Sequence, residues 1–348
     1  MAEADASRHR PAIVRGWHFS FEVDGDAALA TLYYPGDPGR LEEARLTGQV
    51  PAAAGEPWPL VIMMPGINVA PDSYRWLAHR LVPTGVCVVT YAAIGSLGPA
   101  GRGITPGLDL DALTPANIGT RPVATALGPL LDRLGSLGEA DGAPPAGMVD
   151  LDRVVVGGHS AGGTVALHSS DPNWVPGLRA VFAYGAHTMV ATALGHGEAT
   201  VVTIPAKVPV MLLAGTDDGV IAASRDRYRR DHATHDGGAG HDGGAGHDGG
   251  GDDVHAPVRR TFDEAIGHRR GDSWLVELAG AGHFAVCHPV DTTTGRAFLE
   301  PDPAADPAVR DLLGDLIAAF AAASVESAGG AGLEELVAHD LVAHWDRR

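Results

Sequence analysis

The chain alternates short, wholly apolar runs with stretches in which apolar residues recur every three or four positions. Six runs, PLVIMMPG (59–66), GVCVVTY (85–91), RVVVGG (153–158), LRAVFAYG (178–185), VPVMLLAG (208–215) and SWLVELAG (273–280), read as strands buried on both faces. GWHFSFEV (16–23) and ALATLYYP (28–35) read as an antiparallel pair around the turn DGDA. Helical spacing is predicted over 70–82, where a Pro-Asp start precedes Tyr74, Leu77 and Leu81, and over 118–137, from Ala161, and over 222–232, 308–323 and 333–345. Apolar strands alternating with helices imply an α/β fold: about eight strands in a mostly parallel sheet with helices on both faces. The expectation is one domain over 1–348, its core at about 16–325, with the helix at 333–345 appended.

Two segments break the alternation. Residues 40–59 are polar and proline-bearing and read as a surface loop. Residues 235–251 read HDGGAGHDGGAGHDGGG, a six-residue unit repeated nearly three times. Three His-Asp pairs invite a metal reading, but glycine makes the segment costly to order, so a low-complexity loop is the expectation and no metal site is assigned.

The segment RVVVGGHSAGGTVALHSS (153–170) concentrates the chemistry. A strand runs into Gly158-His159-Ser160-Ala161-Gly162, and a helix-forming stretch follows. Strand, Gly-x-Ser-x-Gly and helix together make a nucleophile elbow, a turn sharp enough that side chains at the glycines would strike backbone. Ser160 then stands at the carboxyl edge of the sheet, and the Ala161 N–H in the helix's first turn points at a forming oxyanion. A serine hydroxyl needs a base, and the base needs an orienting carboxylate. In an elbow fold these follow in the order Ser, Asp or Glu, His, each after a later strand. The strand 208–215 ends in TDDGV, which offers Asp217 and Asp218; the strand 273–280 ends in AGHF, which offers His283. Position selects His283 among seventeen histidines, with His288 its nearest competitor. His159 diverges from Ser160 and reads as packing beside the turn. A second oxyanion donor is expected from the loop after MMPGIN (63–68): the N–H of Ile67, with Asn68 as the alternative.

With these residues in view the chain resembles the α/β-hydrolase superfamily, nearest to its dienelactone-hydrolase, chlorophyllase, platelet-activating-factor acetylhydrolase and polyester-hydrolase branch. The segments that carry the resemblance are PGINVAPDSYRWLAHRLVPTGVCVV, GGHSAGG and VPVMLLAGTDDGV with GAGHF; it covers about 29–284 and a final helix at 308–323. In that branch the acid stands three residues after the strand-ending glycine, which implies Asp218. The resemblance implies a carboxylic-ester hydrolase working through an acyl-enzyme, with Ser160 as nucleophile, His283 as base, Asp218 as acid, and no cofactor. The repeat at 235–251, the long link after His283 and the last helix depart from the branch.

The rim of such a site falls on 67–72, 92–105, 185–190 and the segment after His283. Asn68, Ile94, His187, Met189 and Phe284 are the candidate substrate contacts; the small and apolar contents suit an uncharged acyl or alkyl group. A formal net charge of −18 over 348 residues argues against nucleic acid and anionic membrane as partners. The first 21 residues hold no apolar run of signal-peptide length, and Cys87 and Cys287 form no disulfide pattern, so a cytoplasmic location is expected. The expected partner is a small-molecule ester. Two other classes compete: an acyltransferase, lyase or cyclase using the same constellation, and a binding module on an inactive hydrolase scaffold, against which the complete triad argues.

Overall fold

One dipeptide begins the sheet. Asp24 (φ 53°) and Gly25 (φ 82°) both take positive φ, as a tight two-residue hairpin turn matched to strand twist requires. Across it β1 (Ile13–Val23) pairs antiparallel with β2 (Asp26–Gly36). The computed structural model describes residues 13–47, 52–53, 57–97, 101–139, 146–227, 256–266, 271–291, 305–325 and 331–348. The elements continue as α1 (Leu41–Thr47), β3 (Trp58–Met64), α2 (Arg75–Leu81), β4 (Cys87–Ser96), β5 (Arg102–Thr105), α3 (Leu127–Gly138), β6 (Val149–His159), α4 (Ala161–His168) and β7 (Leu178–Tyr184). There follow β8 (Val210–Gly215), α5 (Gly219–Arg227), α6 (Ala256–Arg260), β9 (Trp274–Leu278), α7 (Pro307–Val325), α8 (Ala331–Leu336) and β10 (Val342–Arg347). The repeat at 235–251 lies outside the described residues.

The sheet is mixed and has ten strands, in the order β1-β2-β4-β3-β6-β7-β8-β9-β10, with β5 hairpinned onto β4. β4, β3, β6, β7, β8 and β9 run parallel. β1, β2, β5 and β10 join antiparallel. The expectation of about eight, mostly parallel strands is thus corrected: antiparallel strands flank a parallel centre. From β3 the chain passes to β4 on one side, and from β6 it runs outward to β9 on the other. Strand order therefore reverses at the β3/β6 pair, and open sheets take ligands outside the strands' carboxyl ends at such a point.

The continuous apolar runs follow from burial on both faces. Leu60, Ile62, Val154 and Val156 pack in one core with Leu130 of α3 and Val165 and Leu167 of α4. Val61, Met63 and Val155 pack in the other with Leu77 of α2 and Leu313, Leu316 and Ile317 of α7. Each such side chain stabilises the fold by roughly 1.5–3 kcal/mol. Among the described residues no helix is long and apolar enough to cross a membrane. Cys87 and Cys287 are buried and form no disulfide.

Three expected elements differ. The helix expected at 333–345 is a short helix, α8, followed by a strand. β10 pairs antiparallel with the margin of β9, where Trp345 and Arg347 lie on Trp274 at 5.9 Å and 4.7 Å. Pairing of otherwise open backbone groups overrides the local spacing. The helix expected at 118–137 begins only at Leu127, because the chain before it runs beside 107–109, with Val123 O accepting from Asp109 N–H and Gly107 O from Thr125 N–H. The loop expected at 40–59 contains α1, and Trp58 and Pro59 already belong to β3.

His168, in the last turn of α4, is 2% exposed, and its Nε2 has no hydrogen-bond partner among the described residues. Burial pushes its pKa down to about 4. The unfolded chain takes up this proton near pH 6.5, as an ordinary histidine does, so the unfolded state binds the extra proton between these values. The neutral ring's contribution is complete above about pH 6.5 and is lost as pH falls toward about 4. Replacement His168→Leu is expected to flatten this dependence, by up to about 1.4 kcal/mol per pH unit. Urea unfolding of both proteins at pH 7 and pH 5 measures it, and an unchanged gap between the two pH values counts against it.

Candidate active site

The elbow forms because four glycines leave room for close approach, Gly158 and Gly162 to backbone and Gly157 and Gly163 to side chains. β6 delivers His159, and Ser160 turns the chain at φ 55°, ψ −123° into α4. This is a conformation that L residues adopt at a cost of about 1–3 kcal/mol. Two hydrogen bonds hold it: Ser160 N–H donates to Tyr184 O at 3.0 Å, and Thr164 N–H donates to Ser160 O at 3.0 Å. A β-carbon on Gly158 would overlap the Gly162 carbonyl, and one on Gly162 would overlap the backbone of Met64 and lie 2.6 Å from Pro65 O. One on Gly157 would enter the Phe182 ring, and one on Gly163 would lie 2.6 Å from the Ala186 methyl. Ser160, Ala161 and Ile67 are each partly exposed.

Asp218 and His283 form a buried pair. The His283 Nδ1 lies 2.9 Å from Oδ2 and 3.1 Å from Oδ1 of Asp218, with both side chains within 1% of full burial. Asp218 is fixed in turn as the N-cap of α5: its Oδ1 accepts from Ile221 N–H at 2.9 Å and its carbonyl from Ala222 N–H at 3.1 Å. A carboxylate only accepts, so Nδ1 carries the ring proton and the lone pair of neutral His283 stands on Nε2. Asp217, one residue earlier, is exposed and takes a bond from the Thr216 hydroxyl. His288 is also exposed. Gly185, at the end of β7 with φ 57°, makes room for the pair: a β-carbon there would lie 3.0 Å from both His283 Nδ1 and Asp218 Oδ2. The peptide that receives the Ser160 N–H, Tyr184–Gly185, therefore also borders His283. Gly185 is missed by motif reasoning; its signal is a strand-ending glycine in the strand next to the elbow.

Three consecutive N–H groups after β3 compete for the second donor role, and two are already used. Gly66 N–H donates to the Tyr74 hydroxyl at 3.0 Å. Asn68 N–H donates to Ile104 O at 2.9 Å. The Ile67 N–H between them has no hydrogen-bond partner among the described residues. Asn68 (φ 54°) also accepts from Ile104 N–H at 3.1 Å through Oδ1, so it clamps this loop to the β4–β5 hairpin.

The remaining rim candidates are placed unevenly. Ile94, on β4 opposite Ile104, is 42% exposed. His187 is buried, with Nδ1 accepting from Met189 N–H at 3.2 Å and Nε2 2.9 Å from Ser224 Oγ. Met189 is 5% and Phe284 1% exposed; the Phe284 ring stands edge-on to His283 at 5.2 Å. Phe284 belongs to the core and packs against the imidazole of His283. Among the described residues no group of three or more His, Cys, Asp or Glu is arranged to hold a metal ion.

No family model matches the chain, and no curated protein matches it.

The glycine contacts make a direct test. Gly158→Ala forces a methyl onto backbone that has no rotamer to move, and is expected to cost at least the roughly 1–3 kcal/mol of a core overpacking change. Gly135→Ala, inside α3 with only the Leu151 side chain at 3.7 Å from the added carbon, is expected to stabilise by up to about 1 kcal/mol. Urea midpoints for the two variants should move in opposite directions.

Proposed function

We propose that the chain is a serine hydrolase with an α/β-hydrolase arrangement, cleaving a carboxylic ester, lactone or thioester of a small to medium apolar substrate through an acyl-enzyme. The observation that carries the reading is the buried Asp218–His283 pair. A serine held at positive φ between a strand and a helix is tied to it through one peptide: the Ser160 N–H donates to Tyr184 O, and the next residue, Gly185, packs against His283 and Asp218. Ser160, Asp218 and His283 follow β6, β8 and β9 in the chain order expected of an elbow fold. The six parallel strands and the reversal at β3/β6 support the finer fold assignment.

The chemistry follows from the donors and acceptors. Ser160 Oγ attacks the carbonyl carbon while His283 Nε2 takes its proton. Asp218 keeps the imidazole in the Nδ1–H form and, as a buried partner, offsets the imidazolium charge. The tetrahedral oxyanion is met by the N–H groups of Ala161 and Ile67; loss of one such donor typically costs about 3 kcal/mol. Collapse expels the alcohol, thiol or ring oxygen, which takes the proton from His283. Water activated by the same nitrogen then releases the acid and restores Ser160. The exposed Ile94 on the hairpin beside the oxyanion loop supports an apolar substrate group.

A fluorophosphonate probe is expected to modify Ser160, located by mass mapping of the peptide, and p-nitrophenyl butyrate to be hydrolysed. Ser160→Ala and His283→Ala should abolish both reactions, and Asp218→Asn should lower kcat by about 10⁴-fold by stabilising the wrong tautomer. Retention of ester hydrolysis by Ser160→Ala, or a label on another residue, is the result that rejects the reading.

A further inference from the structure

We infer that His159 is a positioning residue that holds the oxyanion loop, the elbow and the base in mutual register, an inference that rests on the serine-hydrolase reading above. Its side chain is fully buried and bonded at both ring nitrogens. Nε2 lies 3.0 Å from the backbone oxygen of His283. Nδ1 lies 3.0 Å from the hydroxyl of Tyr74, and that hydroxyl lies 3.0 Å from Gly66 N. His159, Tyr74 and His283 are each no more than 1% exposed.

For a neutral His159 ring these contacts select one proton arrangement. The His283 carbonyl only accepts, so Nε2 of His159 carries the hydrogen. The Gly66 N–H only donates, so the Tyr74 oxygen accepts it and turns its own hydrogen toward Nδ1, which in this tautomer offers a lone pair. The Cys287 thiol, 3.7 Å from the same nitrogen, is a second donor to it. Donation therefore runs one way, from Gly66 through Tyr74 and His159 to the carbonyl of His283. With both nitrogens committed, His159 is no alternative base.

The consequence is geometric. The Tyr74 hydroxyl holds the Gly66 N–H, one peptide before the Ile67 N–H. Fixing the His283 carbonyl sets the backbone from which the imidazole projects; the two histidine rings pack at 4.8 Å between centroids. Phe284 at 5.7 Å and Tyr184 at 6.2 Å confine the His159 ring. Gly66 is glycine because a β-carbon there would lie 2.9 Å from His159 Nδ1. One rigid ring thus spans the loops after β3, β6 and β9, the three that carry Ile67, Ser160 and His283.

The test uses the full chain, p-nitrophenyl butyrate and the fluorophosphonate probe. Tyr74→Phe, nearly isosteric, is expected to lower kcat by roughly 10- to 100-fold, the cost of a small misplacement of reacting groups. KM should stay within about threefold, and phosphonylation of Ser160 should slow in parallel with kcat. His159→Leu should lose more, and His159→Gln, whose amide keeps a donor where Nε2 stood, should recover at least about tenfold over Leu. Imidazole ¹⁵N shifts of the wild type should report His159 as the neutral Nε2–H tautomer. Active, labelled wild type with Tyr74→Phe and His159→Leu folded and at wild-type kcat overturns the positioning role alone. So does an Nδ1–H tautomer at His159. Wild type that neither reacts with the probe at Ser160 nor hydrolyses the ester overturns the hydrolase reading, and the positioning role falls with it.

Discussion

The contact of the first turn of α4 with the end of β3, backbone against backbone, is the constraint on which the rest of the structure depends. Gly162 meets the Met64 and Pro65 carbonyls, and Gly158 meets Gly162, with no side-chain atom between them. This brings the N–H of Ala161 and the loop carrying Ile67 to neighbouring strand ends, because β3 and β6 are adjacent. It also offsets the strain stored at Ser160: a residue at φ 55° persists only where its surroundings over-determine it, and here the peptide on each side of Ser160 is hydrogen-bonded.

Three buried histidines around this contact differ by what their ring nitrogens meet. His283 turns Nδ1 to the Asp218 carboxylate and so carries its lone pair on Nε2. His159 and His187 present Nδ1 as an acceptor and donate from Nε2, to a carbonyl and to the Ser224 hydroxyl, which itself donates to Ile221 O. Burial is common to all three; the partner of Nδ1 sets the tautomer, and the tautomer sets what the ring can do. Asp218 serves twice in the same way: its carboxylate caps α5 and orients His283, so a change in the start of that helix is felt at the imidazole.

Much of the central sheet is legible in the chain. An apolar run ending in glycine is a strand buried on both faces, and the glycines at 157, 158, 162 and 163 announce an elbow because bulkier residues would collide there. The Asp-Gly turn announces the first hairpin. The margins are not legible. β10 occupies a segment with helical spacing, and β5 is four residues long; each is a strand only because a partner's open backbone lies beside it. The reach of the site is likewise hidden. Asn68, His187, Met189 and Phe284 sit near strand ends in sequence, but in three of the four cases a contact that holds them comes from a neighbour 36 or more positions away, as with Asn68 and Ile104, His187 and Ser224, or Phe284 and His159.

By itself the sequence determined the apolar alternation that makes an α/β sheet, the glycine pattern that permits a sharp turn at Ser160, and the chain order of Ser160, Asp218 and His283. These are local properties: periodicity, side-chain volume and backbone freedom act over a few residues. Only the tertiary structure decided that Asp218 rather than Asp217 faces His283 and that, of the three N–H groups at Gly66, Ile67 and Asn68, that of Ile67 alone finds no acceptor among the described residues. It also decided that His159 joins three loops. Each is a matter of which donor finds which acceptor across the fold, and hydrogen-bond partners that lie far apart along the chain are chosen by packing, not by neighbours in sequence.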